Sequence, residues 1–202
     1  MNGIFDLYNR KVGLWANEFQ LQPRALFRRS HIDVKVVPTG SSLDLFLLGG
    51  VDATSAMTYN EYHRLYTYGI DFKDLTVFHF ADIGLDFPED GLYALEETAR
   101  RQPELCRKVV EATMEGWAYA FKHKDEALQY VQKEMESAHI PFALSHQRWM
   151  LDEIEKLFEF RDGSLSIELR EADYDFTVRA LRENGFIRTS PAYADFRKEV
   201  LQ

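Results

Sequence analysis

The 202-residue sequence lacks several features that assign proteins to familiar classes. Its one cysteine, Cys106, excludes an internal disulfide bond and a metal site built from several cysteines. No apolar run reaches the roughly 18 residues that a membrane-spanning helix needs. There is no basic block either: 24 Lys and Arg stand against 33 Asp and Glu, a net charge of −9, which argues against a nucleic-acid partner. A small molecule or another protein remains as the partner class.

Common catalytic and metal-binding motifs are also missing. The six histidines show neither HxxxH nor HExxH spacing, so we predict no metal site. No GxSxG elbow indicates a hydrolase, and no P-loop lysine or GxGxxG indicates a nucleotide site. We therefore assign no catalytic residue. Residues 1–6 contain no basic or apolar segment typical of a signal peptide, which taken alone predicts a cytoplasmic chain.

The first 95 residues alternate between strand and helix signals. This alternation predicts an α/β lobe, a mostly parallel sheet with flanking helices, over residues 1–95. The predicted strands are 11–15, 34–37, 52–57 and 75–80, and the predicted helices are 20–30, 42–48 and 58–68.

From residue 96 to residue 202 the pattern is almost entirely helical. The amphipathic segments cover 104–121, 145–158 and 173–182. Ser190 and Pro191 predict the start of a last helix that runs to Leu201. We therefore expect a second part, residues 96–202, whose apolar stripes need a surface to pack on.

Aromatic and amide side chains follow the first predicted strand. Trp15 and Asn17 come just after it, and in open α/β sheets ligands bind beyond the carboxyl ends of the strands. A tryptophan beside an amide can stack on a flat heterocycle and hydrogen-bond to it. Packing of Trp15 in the core is an equal alternative.

The loop Gly40, Ser41 and Ser42 follows the second predicted strand and opens a helix. Such a turn presents backbone N–H groups and hydroxyls that can hold an anionic group. Capping of the helix by serine explains the same residues and is the favoured interpretation on the sequence alone.

Two further segments carry polar side chains near predicted strand ends. Tyr59, Asn60 and Glu61 follow the third strand and point some groups at the same edge if a helix begins there. Glu89 lies in an acidic segment rich in Pro and Gly, which can be a hinge whose carboxylate meets a ligand amine. A solvated acidic loop is an equal alternative.

Three segments of this sequence resemble the NMT1/THI5-like (SsuA/THI5) family. They are Lys11–Trp15, then Gly49–Ala53 together with Tyr59–Tyr62, then Phe87–Ala94. The family includes substrate-binding components of ABC importers for thiamine precursors and enzymes that make the thiamine pyrimidine. The resemblance implies a type II periplasmic-binding-protein-like lobe followed by a helical C-terminal region.

Within that family, the sequence favours binding over turnover. The pyrimidine-forming enzymes carry a cysteine-rich motif where this chain has Leu85–Asp90, and a segment without cysteine supplies no thiolate. We expect no cofactor, and a planar, amine-bearing heterocycle held by Trp15, by Asn17 and Asn60, and by Glu61 or Glu89. The alternatives are a synthase that needs pyridoxal phosphate and iron, and a non-binding interaction module.

The resemblance also implies that a lobe is missing. Family members begin with a further lobe that supplies half of the ligand cleft, so we expect a truncated or split binding protein. A homodimer or a separate missing-lobe partner would then cover the helices after residue 96. A full-length parent would contact an ABC permease, in the periplasm or attached outside the membrane, whereas the chain as written has no signal peptide.

Overall fold

The computed structural model describes residues 3–88, 91–158, 160–161, 164–166 and 168–197. They form two compact units. The first, here called the sheet unit, comprises Met1–Pro88 and Leu169–Tyr193. The second, here called the helical unit, comprises Glu89–Glu168 and Ala194–Gln202. The predicted division at residue 96 stays a prediction, and these units are bounded differently, because the chain returns to the sheet unit after residue 168.

The described residues form an α/β structure that is mostly helical. Short 3-10 helices cover Ile4–Leu7, Asn17–Gln20, Phe72–Asp74 and Ala81–Ile83. The other elements are, in chain order, β1 (Lys11–Leu14), α1 (Leu21–Arg29), β2 (Lys35–Pro38), α2 (Asp44–Leu47), β3 (Ala53–Thr54), α3 (Glu61–Thr67), α4 (Glu96–Arg101), α5 (Pro103–Lys122), α6 (Lys124–Ser137), α7 (Leu144–Leu157), β4 (Phe160–Arg161), β5 (Ser164–Leu165), α8 (Glu171–Glu183) and α9 (Tyr193–Phe196).

The sheet unit is built on three parallel strands in the order β2–β1–β3. β1 pairs with β2 from Lys11↔Lys35 to Leu14↔Pro38, and with β3 at Val12↔Ala53. Parallel neighbours require crossover connections, which α1 and α2 supply. The predicted parallel sheet is thus confirmed as a small one.

A single apolar core lies under this sheet. Leu14, the last residue of β1, is 1% exposed, and the return helix α8 contributes Ala180. α1 packs against α8 in this core. The core also holds Leu7, Val12, Leu21, Ala25, Leu26, Phe27, Ile32, Leu85 and Phe87.

The helical unit is organised around α5, α6 and α7, each of which contacts the other two. Trp117 and Phe121 of α5 pack their rings against each other and against Phe158, with centroids 5.2–5.4 Å apart. Lys124 at the start of α6 bridges to Asp152 (2.6 Å) and Glu155 (2.5 Å) of α7. No helix among the described residues is long and apolar enough to cross a membrane.

Several predicted elements differ from the structure. Residues 75–80 were expected to form a strand, but they pair with no strand in the described chain; Phe78 and Phe80 pack on the core instead. The aromatic residues of this segment therefore pack on the core without the segment joining the sheet. β3 is only two residues long because the chain turns away to start α3.

The second half of the chain is mostly helical, as predicted, with one short antiparallel strand pair, β4 and β5, in addition. The last helix does not begin at Ser190–Pro191: α9 starts at Tyr193, and the hydroxyl of Tyr174 donates to the carbonyl of Pro191 at 2.8 Å, which holds that segment outside the helix. The predicted end at Leu201 lies outside the described residues.

Candidate ligand-binding site

The loops that follow the three strands of the sheet unit meet at one edge. Because the strands are parallel, the chain leaves β1, β2 and β3 on the same side of the sheet. Two backbone hydrogen bonds hold these exits together: the N–H of Thr39 donates to the carbonyl of Leu14, and that of Ser55 to the carbonyl of Gly13, both at 2.9 Å. These exits lead into the segments in which the sequence predicted ligand-binding residues.

Trp15 and Asn17 leave the end of β1 in an unusual backbone path. Asn17 is exposed and has a φ of 58°, a left-handed conformation that asparagine tolerates better than most residues. Trp15 is half-buried, and its ring meets Phe19 edge-on at 6.0 Å. The edge therefore carries a partly accessible indole and a solvent-facing amide.

The loop Gly40, Ser41 and Ser42 leaves the end of β2 and is exposed along its length. The hydroxyl of Ser42 accepts the N–H of Asp44 at 3.1 Å, but the N-cap residue of α2 is Leu43, so this is a local turn contact one residue before the cap. The helix that follows, α2, is only four residues long, so its dipole adds little for an anion. Gly40 and Ser41 remain open beside the sheet edge.

Tyr59, Asn60 and Glu61 stand where α3 begins, after β3. Glu61 is 7% exposed, and its carboxylate accepts the N–H of Met57 and the side-chain amide of Asn60, both at 3.0 Å. These contacts fold the turn between β3 and α3 back on itself. Tyr59 is half-buried. The carboxylate of Glu61 therefore stabilises the turn between β3 and α3.

Thr39 is the first residue of the loop that the sequence marked at this edge, although it was not among the predicted binding residues. Its Oγ1 is buried and has no hydrogen-bond partner in the described part of the chain. Its side chain lies over Gly13: a Cβ there would come within 2.8 Å of Thr39 Cγ2 and 3.0 Å of Thr54 Oγ1. The signal in the sequence was Gly13 itself, since a glycine inside a strand marks close approach.

An aromatic group extends from α3 and was only partly foreseen. Tyr62 stacks on Phe72 at 4.5 Å and meets His79 edge-on at 6.3 Å, while Tyr66 tilts against Phe72. Desolvation raises the pKa of Tyr62 and lowers the pKa of the neighbouring, buried His63. These rings pack against one another, so the group has a structural role beside α3.

Glu89, the predicted hinge carboxylate, lies outside the described residues. The segment before it is anchored in the sheet unit, where Leu85 and Phe87 are buried and Phe87 stacks on Phe176 at 4.9 Å. Among the described residues, no group of three or more His, Cys, Asp or Glu is placed to hold a metal ion.

Comparison with known proteins gives one match. The family described as NMT1/THI5 like matches residues 1–127, which is more than half of the chain and includes all nine candidate positions. No curated protein matches the chain.

Proposed function

Because this chain belongs to the NMT1/THI5-like family, we propose that it is a binding protein for a small, planar, amine-bearing heterocycle that resembles a thiamine pyrimidine precursor. The ligand lies against the carboxyl edge of β1, β2 and β3. In this proposal the sheet unit is one lobe of a type II periplasmic-binding-protein-like clamshell.

The observation that carries the proposal is the convergence of three loops on one sheet edge. That edge presents an accessible indole at Trp15, an exposed amide at Asn17 and the open loop at Gly40 and Ser41. The buried hydroxyl of Thr39, beside Gly13 at the same edge, has no hydrogen-bond partner among the described residues. An edge with an aromatic surface and a few polar groups suits a small heterocycle better than a macromolecule.

Each residue has a proposed role. Trp15 stacks on the ring, and Asn17 and Asn60 hydrogen-bond its nitrogens. Gly40, Ser41 and Ser42 contact an anionic or polar substituent, and Tyr59 borders the ligand. Glu61 or Glu89 meets the amine, and the existing contacts of Glu61 favour Glu89.

Turnover is not part of this proposal. The sequence has one cysteine, Cys106, which lies in α5 of the helical unit rather than near residues 85–90. A thiolate-rich motif of the kind found in the pyrimidine-forming members therefore has no counterpart at that position. A cofactor absorption band in the purified protein would favour the synthase instead.

The wider setting is also a proposal. We propose that the full-length protein serves an ABC importer, contacts its permease, and works in the periplasm or attached outside the membrane. The helices after residue 96 then pack on a further surface, either a second copy of the chain or a missing-lobe partner. Light scattering with concentration tests the second copy directly.

A pair of matched variants tests the site. Asn17→Gly removes the amide but preserves the left-handed backbone, and Asn9→Gly does the same at Asn9, which has a φ of 60° before β1. Calorimetric titration with aminopyrimidines and thiamine should show about fivefold weaker binding for Asn17→Gly, the loss of one hydrogen bond, and no change for Asn9→Gly.

A second pair tests stacking. Trp15→Leu should weaken binding about tenfold, and Trp15→Phe should restore most of the affinity because it keeps a π-surface. Equal losses in Trp15→Leu and Trp15→Phe, or binding that none of these variants alters, would place the ligand elsewhere. A well-folded protein that binds no pyrimidine would remove the proposal.

A further inference from the structure

A second concave site lies within the sheet unit, between α1, α8 and the turn at Gly84. Its volume is about 390 Å³, inside the range of roughly 300–1,000 Å³ typical of small-molecule pockets. Its floor is apolar: Leu85 is 5% exposed, Ala180 is 8% exposed and Ala25 is 9% exposed. Phe176, which stacks on Phe87, adds an aromatic wall.

The rim of this pocket is cationic. Arg28 and Arg29 come from the last turn of α1, and Arg179 comes from α8. Arg29 donates to the carbonyl of Ile83 at 2.7 Å. Within the described residues, the guanidinium groups of Arg28 and Arg179 have neither a hydrogen-bond nor an ion-pair partner, and Glu183 is the only carboxylate that lines the pocket.

This concentration of positive charge is unusual in a chain with a net charge of −9. Basic residues at a helix C-terminus compensate the helix dipole, which accounts for Arg28 and Arg29. It does not account for Arg179, because that residue faces the same space from another helix. Arg28 and Arg179 are exposed and line the same pocket, so an anion that enters it can pair with both guanidinium groups.

The pocket lies near the amino ends of the strands, whereas the candidate ligand-binding site lies at their carboxyl ends. α1 ends at Arg29 and β2 begins at Lys35, so the C-terminus of α1 is on the side where the strands start. Hydrogen bonds from Asn9 N–H to the Asp33 carbonyl and from Lys35 N–H to the Arg10 carbonyl belong to that side. The two sites therefore do not share residues.

We propose that this pocket binds a small phosphate monoester whose organic part is apolar or aromatic. Arg28 and Arg179 hold the phosphate oxygens, Arg29 is fixed by Ile83 at the rim, and the organic part rests on Leu85 and Ala180. Arginine is suited to this task because its planar guanidinium matches phosphate geometry.

Calorimetric titration with phenyl phosphate, inorganic phosphate and phenol tests the ligand class. Phenyl phosphate should bind more tightly than inorganic phosphate, and phenol should not bind. Arg28→Gln and Arg179→Gln should each weaken phenyl phosphate binding about tenfold, the loss of a charged hydrogen bond. Glu183→Gln should tighten it about twofold, because removal of the carboxylate leaves the phosphate a more positive site.

Arg188→Gln is the matched control, since Arg188 is exposed in the same unit, has no partner among the described residues and does not line the pocket. Its affinity should equal that of the unchanged protein, with all melting temperatures alike. An equal loss of phenyl phosphate affinity in Arg188→Gln would show that the effect depends on the net charge of the protein and not on this pocket, and would overturn the proposal. Tight binding of phenol, or no effect of the pocket variants, would overturn the proposal.

Discussion

The sheet unit and the helical unit differ in how they bury apolar residues. Among the described residues, every buried hydrophobic residue except Phe121 and Leu128 belongs to the sheet unit. Within the described part of the chain, both units expose large apolar side chains: nine in the sheet unit and, in the helical unit, twelve along its helices and the segment before them. The twelve residues of the helical unit are Leu92, Tyr93, Leu95, Leu105, Val109, Tyr119, Tyr130, Val131, Ile140, Leu144, Leu157 and Phe196.

Charge takes a larger share in the helical unit. Arg148 pairs with Asp125 across α6 and α7, beside the Lys124 bridges. Arg107 pairs with Glu104 and Glu111 within α5. Such exposed pairs contribute little each, about 0–1 kcal/mol. The sheet unit therefore has its own apolar core, whereas the helical unit buries few of its apolar side chains.

The largest expected difference comes from truncating one leucine in each unit. Leu14→Ala leaves a cavity beneath the sheet and should cost about 3–4 kcal/mol of unfolding free energy. Leu105→Ala, in α5, removes a side chain that is 49% exposed and should cost under about 0.5 kcal/mol. Denaturant unfolding measures both. Equal losses would mean that the helical unit has a core of its own.

A glycine pair should give opposite signs. Gly13→Ala places a Cβ against Thr39 and Thr54 at the sheet edge and should cost about 1–3 kcal/mol. Gly116→Ala in α5 meets nothing within 4 Å and should stabilise its helix by about 0.5–1 kcal/mol. Thermal unfolding of both variants checks the signs. A neutral Gly13→Ala would contradict the tight approach at β1.

The smallest effect concerns the charge bridge between α6 and α7. Lys124→Met removes an ammonium that pairs with two carboxylates from a side chain that is 25% exposed, and should cost about 1 kcal/mol. Lys156→Met is the control, because within the described part of the chain Lys156 pairs only with Glu153 of its own helix, and its side chain is 67% exposed. Melting temperatures compare the two variants.

The pH dependence of Lys124 provides a second measurement. Hydrogen bonds to Asp152, and then to Glu155, raise the pKa of Lys124 above its ordinary value. Its stabilisation is therefore complete below the ordinary lysine pKa and is lost as the pH rises through the raised one. Lys124→Met should lack that alkaline loss. The same loss in both proteins would assign it to another group.

The fold was predictable from sequence where one pattern implied one structure. The predictions of β1, α1 and β2 are confirmed, because the strand-like runs and the helical spacing in the sequence match the elements that form there. The strand predicted at residues 75–80 is not formed, because a strand-like segment does not by itself show whether another strand lies beside it to pair with. α8 was predicted as a helix, but its return to the sheet unit has no local signal.

The site was predictable by position more than by contact. Parallel strand ends place Trp15, Asn17 and the Gly40–Ser42 loop on one edge, as topology requires. The inward turn of Glu61 toward Met57 and the unpartnered Thr39 hydroxyl depend on tertiary packing. The pocket lined by arginines was not predicted for the same reason, because Arg28 and Arg179 are far apart in the sequence and only the fold brings them together.

Hydrogen exchange at low protein concentration, with and without an aminopyrimidine, tests the central claim most directly. The account predicts slow exchange in β1 and α1, faster exchange in α5–α7, and ligand protection in the sheet unit at residues 15–17, 39–42 and 59–61. Exchange in α5–α7 as slow as in β1, or ligand protection only in those helices, would contradict it.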